Sequence, residues 1–195
     1  MRHVLVALLL TTIGICSTLA AEAVPAWGME QLMQNLAQVK SARSKFAERK
    51  YLAILNAPLD SSGTLTYTAP GRLEKYTLSP KPETLVLDKD KLTIEYGDRK
   101  QRRTLMLQDY PFIWALVESI RSTLAGDLQT LTRFYQASLE GSAEKWHLSL
   151  KPAEPTMQAV VKEIHIGGIR NQIRMIEIIE AEGDRSIMTI SEDAP

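Results

Sequence analysis

The stretch from Gly63 to Leu92 constrains the fold of this chain more than any other part of its sequence. Short runs rich in β-branched, aromatic and aliphatic residues alternate there with clusters of Pro, Gly and Asp. Runs of this length between turn residues predict an antiparallel meander of strands. Such a sheet has one apolar face, which another element of the protein must cover. The predicted strands of the meander are residues 64–68, 72–79, 84–87 and 92–96.

Amphipathic helices are predicted on both sides of the meander. Residues 27–40 carry apolar side chains at helical spacing, which indicates a first helix. After a strand at residues 101–108 the apolar period becomes helical, and Asp109 is placed to act as the N-cap of a long helix that ends at Gly126. Asp127 is placed to cap a short helix that follows. The apolar stripe of the long helix consists of Phe112, Ile113, Leu116, Val117, Ile120 and Leu124.

The remaining runs have the alternation of β-strands. One precedes the meander, although Glu48 and Lys50 interrupt its apolar face. Together with the meander they predict about 10–11 strands. A long antiparallel sheet interrupted by helices is an α+β arrangement, and such a sheet tends to curl. These further strands are predicted at residues 44–55, 135–140, 145–150, 159–166, 172–180 and 185–190.

Residues 1–20 have the features of a cleaved secretory signal peptide. Arg2 gives a basic start, a continuous apolar run follows, and small residues precede the end at Ala20. The alternative is a retained membrane anchor, but the apolar run is short for a span of about 20 residues. Cys16 follows Ile15, whereas a lipidated cysteine follows a small residue. We therefore predict a periplasmic protein with a single mature domain at residues 21–195.

Cleavage would remove the only cysteine and leave a nearly neutral chain. The full sequence has 23 basic and 23 acidic residues, so loss of Arg2 leaves 22 against 23, a formal charge of −1. This excludes electrostatic binding of nucleic acid, and the mature chain has no thiol for a disulfide or for metal binding. The basic run at residues 99–103 is interpreted as a solvated hairpin tip. Its alternative role is contact with a partner protein or with anionic lipid head groups.

Catalytic residues are not expected. His147 and His165 each lie inside an alternating strand and have no acidic partner at a recognisable spacing, so they do not predict a metal site. Ser142 and Lys145 fit a Ser-x-x-Lys pattern, but they fall on a predicted hairpin turn rather than at the start of a helix. We expect neither an enzyme nor a bound cofactor.

The spacing within the meander resembles that of the periplasmic outer-membrane lipoprotein carrier (LolA-like) proteins. Pro111 and Phe112 also match a pair that opens a lid helix in that family. The resemblance implies an incompletely closed, strongly curved antiparallel barrel with amphipathic helices as a lid. It also implies a monomeric carrier that takes acyl chains from an inner-membrane transporter to an outer-membrane acceptor. The residues that match the family's spacing are Gly63, Leu65, Pro70, Leu73, Pro80 and Asp88.

The chain departs from the family's pattern at several positions. Ala69 replaces an arginine that, in the enteric carriers, is implied to hydrogen-bond the lid helices. Lys75 and Thr93 replace aromatic residues, Lys89 replaces a turn glycine, and Glu48 replaces a glutamine. The resemblance therefore implies a divergent member. Such a member could carry a lipid other than a lipoprotein, or a lipid-linked product, for one inner-membrane exporter.

An apolar face beneath amphipathic helices has two possible interpretations. If the interior is open, it is a cavity for acyl chains; if side chains fill it, the protein is a non-catalytic periplasmic interaction module. Sequence pattern alone does not separate them. The residues predicted to line an acyl-chain cavity are Leu65, Leu73, Leu85, Leu87, Ile94, Leu105, Phe112, Leu116 and Ile120.

Overall fold

A computed structural model describes residues 27–97 and 101–192. The predicted signal peptide and part of the basic run at residues 99–103 lie outside these residues. The described residues form eleven strands: β1 (Ser41–Tyr51), β2 (Leu59–Thr68), β3 (Arg72–Ser79), β4 (Glu83–Asp88), β5 (Lys91–Tyr96), β6 (Gln101–Met106), β7 (Tyr135–Gly141), β8 (Trp146–Pro152), β9 (Val161–Ile169), β10 (Gln172–Glu180) and β11 (Arg185–Glu192).

All the strands belong to one antiparallel sheet that is not closed. Its order is β6-β5-β4-β3-β2-β1-β11-β10-β9-β8-β7, so β6 and β7 are the two edges. Strands that follow one another in the chain pair with each other, except β6 and β7, and β1 also pairs with β11. The α+β prediction is confirmed, and the architecture is that of an incompletely closed, curved barrel.

Four helices accompany the sheet: α1 (Met29–Ala37), α2 (Pro111–Ala125), α3 (Leu128–Phe134) and α4 (Pro155–Gln158). Sequence analysis missed α4, which delays the start of β9 to Val161. It also placed the first strand at residues 44–55, whereas β1 begins and ends earlier in the chain. Within residues 27–97 and 101–192, no helix combines the length and the apolarity that crossing a bilayer would require.

Of the two predicted N-caps, Asp127 and Asp109, the structure confirms only Asp127. Asp127 caps α3, since its Oδ1 accepts a hydrogen bond from the Thr130 backbone N–H at 2.9 Å. Asp109 does not cap α2; it ends a short 3-10 turn, and the N-cap is Tyr110, which makes no side-chain capping bond. Pro111 occupies the first turn of α2, where its fixed φ and missing N–H are well tolerated, so the helix begins without a side-chain cap.

Gly126 allows the end of α2 to lie close against α1. Its φ of 70° is left-handed, and a Cβ there would stand 2.2 Å from the carbonyl oxygen of Met33. Glycine therefore both terminates α2 and removes the atom that would separate the two helices.

One part of the sheet carries a filled apolar core. Side chains from α1, α3 and α4 pack there against β7, β8 and β9. Tyr135 is buried within this core; burial raises its pKa to about 12, and its hydroxyl donates to the Ala115 carbonyl oxygen at 3.1 Å. This contact ties α2 to β7. The fully buried aliphatic residues of the core include Leu32, Leu36, Leu131, Leu148, Leu150, Ile164 and Ile166.

Candidate ligand-binding cavity

The rest of the sheet encloses an open space instead of a core. A cavity of about 780 Å³ lies between β1–β5, β10, β11 and α2. This volume falls within the roughly 300–1,000 Å³ range of small-molecule sites in proteins. The filled core and the cavity therefore occupy different parts of the same sheet, and β10 borders both of them.

The strand register brings the apolar residues of the meander onto one face. Leu65 pairs with Lys75 and Lys75 with Leu85, while Tyr67 pairs with Leu73 and Leu73 with Leu87. Residues that pair directly in an antiparallel sheet point to the same side. These pairs form two rows of side chains that run across the strands, and both rows belong to one wall of the cavity. The apolar residues of this wall are Leu65, Tyr67, Leu73, Leu85, Leu87 and Leu92.

Helix α2 covers this wall with a stripe of aliphatic side chains, and polar residues occupy its buried side. Ser119 and Thr123 donate to the carbonyl oxygens of Leu116 and Ser119 at 2.7 and 2.6 Å. Because these hydroxyls bond to their own helix, they can be buried without a partner from the sheet. The aliphatic side chains of α2 that face the cavity are Val117, Ile120 and Leu124.

Strands β10 and β11 complete the wall. Ile176 pairs with Met188 across these strands, which places both on the cavity side. The apolar residues that these two strands contribute to the cavity are Ile173, Ile176, Ile178, Met188 and Ile190, and Gln172, Arg174, Ser186 and Glu192 also line it. Sequence analysis recognised these strands but did not assign them to the site, although alternating aliphatic residues such as Ile176 and Ile178 carried the signal.

The structure places five of the nine predicted lining residues in the cavity wall: Leu65, Leu73, Leu85, Leu87 and Ile120. Among the described residues, the wall of this cavity does not include Ile94, Leu105, Phe112 or Leu116.

The positions of these four residues explain why they do not line the cavity. Ile94 pairs with Leu85 and Leu105 with Leu92, so both lie on the predicted face, but on β5 and β6 near the edge of the sheet. Phe112 is 46% exposed at the start of α2. Leu116 packs against the filled core rather than the cavity.

A charged pair interrupts the apolar wall. Lys75 Nζ lies 2.5 Å from Glu48 Oε2 and 4.8 Å from the centre of the Phe46 ring. Ser186 donates to Glu48 Oε1 at 2.7 Å, and Ser61 donates to Glu48 Oε2 at 3.3 Å. Four strands (β1, β2, β3 and β11) therefore contribute to one hydrogen-bonded cluster in the wall.

The environment of Glu48 keeps its carboxyl group ionised. Burial acts to raise the pKa of Glu48, but the Lys75 ammonium and the hydrogen bonds from Lys75 and Ser186 outweigh burial and lower it. A buried carboxylate of this kind is tolerated because it is both paired and hydrogen-bonded. Sequence analysis noted Glu48 and Lys75 only as departures from an apolar pattern.

Helix α2 is fastened to the meander by Arg121. Arg121 Nη1 donates to the carbonyl oxygen of Lys89 at 2.9 Å, and Nη2 is paired with Glu118. Burial raises the pKa of Glu118, although Arg121 opposes the shift. Ala69, at the position of the family's lid arginine, uses its backbone N–H to bond the Lys40 carbonyl. In this protein the arginine that joins α2 to the sheet is Arg121, which belongs to the helix, and not a residue at position 69.

The histidines lie away from the cavity. His147 and His165 stack on adjacent strands with Nε2 and Nδ1 3.2 Å apart, and Ser149 Oγ lies 3.0 Å from His165 Nδ1. They alternate with the core residues Leu148 and Ile164, which confirms that they are strand residues on the other face of the sheet. In residues 27–97 and 101–192, no cluster of three or more His, Cys, Asp or Glu could hold a metal ion.

The fold and the cavity together define an open-barrel protein with a largely apolar cavity. The family model described as outer membrane lipoprotein carrier protein LolA-like matches residues 20–194, and the chain belongs to this family. Members of such a family are lipid- or lipoprotein-binding carriers. No curated protein matches the chain in sequence.

Solved structures with a similar fold include the following two. A LolA superfamily protein from Nitrosomonas europaea is 10% identical, with 87% of this chain and 96% of that chain covered and a TM-score of 0.42. A domain assigned to outer-membrane lipoprotein sorting from Vibrio parahaemolyticus is 8% identical, with 85% and 90% covered and a TM-score of 0.44.

Proposed function

We propose that the protein is a periplasmic carrier that shelters the acyl chains of a lipoprotein or lipid between the inner and outer membranes. The observation that carries this proposal is the cavity of about 780 Å³ with aliphatic walls on β1–β5, β10, β11 and α2. Membership of the LolA-like family supports it. In this proposal, residues 1–20 are a cleaved signal peptide, and the carrier is the single domain at residues 21–195.

The energetics of such a carrier need no catalytic group. Each CH₂ removed from water gains about 0.8 kcal/mol, so a chain of 16 carbons gains on the order of 13 kcal/mol before the costs of binding. An apolar space of sufficient size can supply this term. The carrier would receive its cargo from an inner-membrane transporter and deliver it to an outer-membrane acceptor, and it would act as a monomer without a cofactor.

A specialised cargo is the second form of this proposal. The ion pair of Glu48 and Lys75 places charged groups in the cavity wall. In addition, α2 is held to the sheet by Arg121, whereas position 69 is an alanine. These features favour a carrier of one non-lipoprotein lipid, or of one lipid-linked product of an exporter. An open cavity argues against the alternative of an interaction module with a filled interior.

Extraction of the purified protein tests the proposal directly. The protein is isolated from the periplasm, extracted with organic solvent, and the extract is analysed by mass spectrometry for acylated molecules. The delipidated protein is then titrated with a fluorescent fatty-acid probe. We expect acylated compounds in the extract and saturable probe binding. A protein that yields no lipid and binds no probe would contradict the carrier function.

A further inference from the structure

The Glu48–Lys75 pair is a polar site beside the aliphatic residues Leu65 and Leu85 of the cavity wall. The other charged residues that line the cavity are Lys40, Arg43, Glu74, Arg174 and Glu192. Lys75 stands between Leu65 and Leu85 in the register of the sheet, and all three residues line the cavity. The Lys75 side chain is 21% exposed, whereas the Glu48 side chain is 8% exposed. A ligand in the cavity would therefore reach the ammonium group more readily than the carboxylate.

The ammonium group retains capacity for one more hydrogen bond. An ammonium has three N–H donors. Among the described residues, Lys75 has one carboxylate partner, Glu48, and the face of one ring, Phe46. The remaining donor is available to a ligand, and a ligand that displaces water from it should supply an acceptor, because a polar group that is desolvated without a partner is costly.

The charge of the site selects the kind of acceptor. Within the cavity wall, Glu48 balances the charge of Lys75; Lys50, whose Nζ lies 3.9 Å from Glu48 Oε1, is exposed and does not line the cavity. An incoming carboxylate or phosphate would therefore place a second negative charge beside a buried carboxylate. A neutral oxygen brings no such repulsion. The carbonyl oxygen of an ester is a neutral acceptor, and it is covalently joined to the alkyl chain that the surrounding walls would hold.

We propose that Lys75 donates a hydrogen bond to the ester carbonyl of the bound acyl chain, and that Glu48 makes the site reject free fatty acids. This inference rests on the proposed acyl-chain function and specifies its ligand class as esterified chains. Lys75 is the donor, Glu48 is the residue that sets the charge, and Ser186 and Ser61 hold the Glu48 carboxylate in place.

Competition binding with three matched ligands tests the inference. Methyl palmitate, palmitate and hexadecane, each delivered from cyclodextrin, displace a neutral fluorescent acyl-ester probe from the delipidated protein. For the unsubstituted protein we expect methyl palmitate to bind about tenfold more tightly than hexadecane, as for a hydrogen bond to a charged donor. Palmitate should bind more weakly than methyl palmitate.

Substitutions at Glu48 and Lys75 should change the preference between ester and carboxylate, whereas apolar binding alone would leave this preference unchanged. Glu48→Gln leaves the Lys75 charge uncompensated, so the preference should reverse toward palmitate by about tenfold or more. The double variant Glu48→Gln/Lys75→Met removes both charges at similar volume, and methyl palmitate should fall to the affinity of hexadecane. Circular dichroism checks the fold of both variants, and the uncharged double variant carries the test if Glu48→Gln does not fold.

The possible outcomes separate this inference from the carrier function. Equal affinities of the unsubstituted protein for methyl palmitate and hexadecane would overturn the role of Lys75, and so would an ester preference that persists in the double variant. Either result would leave the cavity as an acyl-chain site without ester recognition. If none of the three ligands displaces the probe, the carrier function itself is contradicted.

Discussion

The guanidinium of Arg121 donates to the backbone carbonyl of Lys89 at 2.9 Å, and this bond joins helix α2 to the turn between β4 and β5. The stem of Arg121 also lies against the turn between β2 and β3, since a Cβ at Gly71 would stand 2.5 Å from Arg121 Cδ. One side chain therefore holds the helical cover of the cavity against two turns of the meander.

Removal of this side chain should loosen α2. We expect Arg121→Ala to lower the free energy of unfolding by about 1 kcal/mol and to speed amide hydrogen exchange in the middle of α2. The core strand β8 should keep its protection. Hydrogen exchange with mass spectrometry measures both regions. Arg133→Ala, at an exposed position on α3, is the matched control. Equal exchange in the two variants would show that Arg121 does not hold the helix.

Substitution of Gly71 should act through Arg121. We expect Gly71→Ala to displace the arginine stem and to increase exchange in α2, because the added methyl group overlaps Arg121 Cδ. In an Arg121→Ala background the same substitution should cost little, since the methyl group then has room. A double-mutant cycle from denaturant unfolding measures this coupling. Additive effects of the two substitutions would contradict the contact.

Substitutions on α2 distinguish the cavity face from the exposed start of the helix. Ile120→Asp places a carboxylate in the aliphatic wall and should abolish binding of a fluorescent fatty-acid probe. Phe112→Asp makes a similar change at an exposed position and should leave binding intact. Ile120→Trp, which fills the space without adding charge, should also weaken binding. Loss of binding in Phe112→Asp with a native circular dichroism spectrum would contradict the assigned wall.

Acid should weaken the protein partly through Glu48. Its pKa is lowered in the folded protein from an ordinary value of 4.5. The resulting stabilisation is present above that value and is lost as the pH falls through the lowered pKa of the folded state. The melting temperature of the unsubstituted protein should therefore fall more steeply below pH 4.5 than that of Glu48→Gln/Lys75→Met. Parallel pH profiles would exclude a stabilising role for the pair.

The alternating pattern of the meander was sufficient to predict its strands and their inner face. Leu65, Leu73, Leu85 and Leu87 lie in the cavity wall because the register of β2, β3 and β4 places them on one face of the sheet. The extent of the cavity was not predictable in this way. Which strands lie opposite α2 is decided by tertiary packing, so Leu105 lies on the same face of the sheet as Leu92 but outside the cavity wall.

The rotation of α2 about its axis could not be predicted from the sequence either. A helical stripe of aliphatic residues suggested that Leu116 and Ile120 share one environment, yet Leu116 packs on the core and Ile120 lines the cavity. This rotation buries Glu118, Ser119 and Thr123, which polarity alone would have assigned to the solvent. Their hydrogen bonds to Arg121 and to the helix backbone become visible only in three dimensions.

The ion pair shows why a local interruption of a pattern can be informative. Glu48 breaks the alternation of β1, and its partner Lys75 lies on β3, two strands across the sheet. No spacing rule along the chain joins the two positions. A search for charges of opposite sign on the same face of the predicted sheet would have been the available signal.

The separation of the filled core from the cavity has a consequence for how this domain can change. The residues that hold α1, α3 and β7–β9 together are largely distinct from those that would contact a cargo. Substitutions that reshape the vacant side can therefore accumulate while the packed side keeps the chain folded, which gives the scaffold freedom to acquire new cargo.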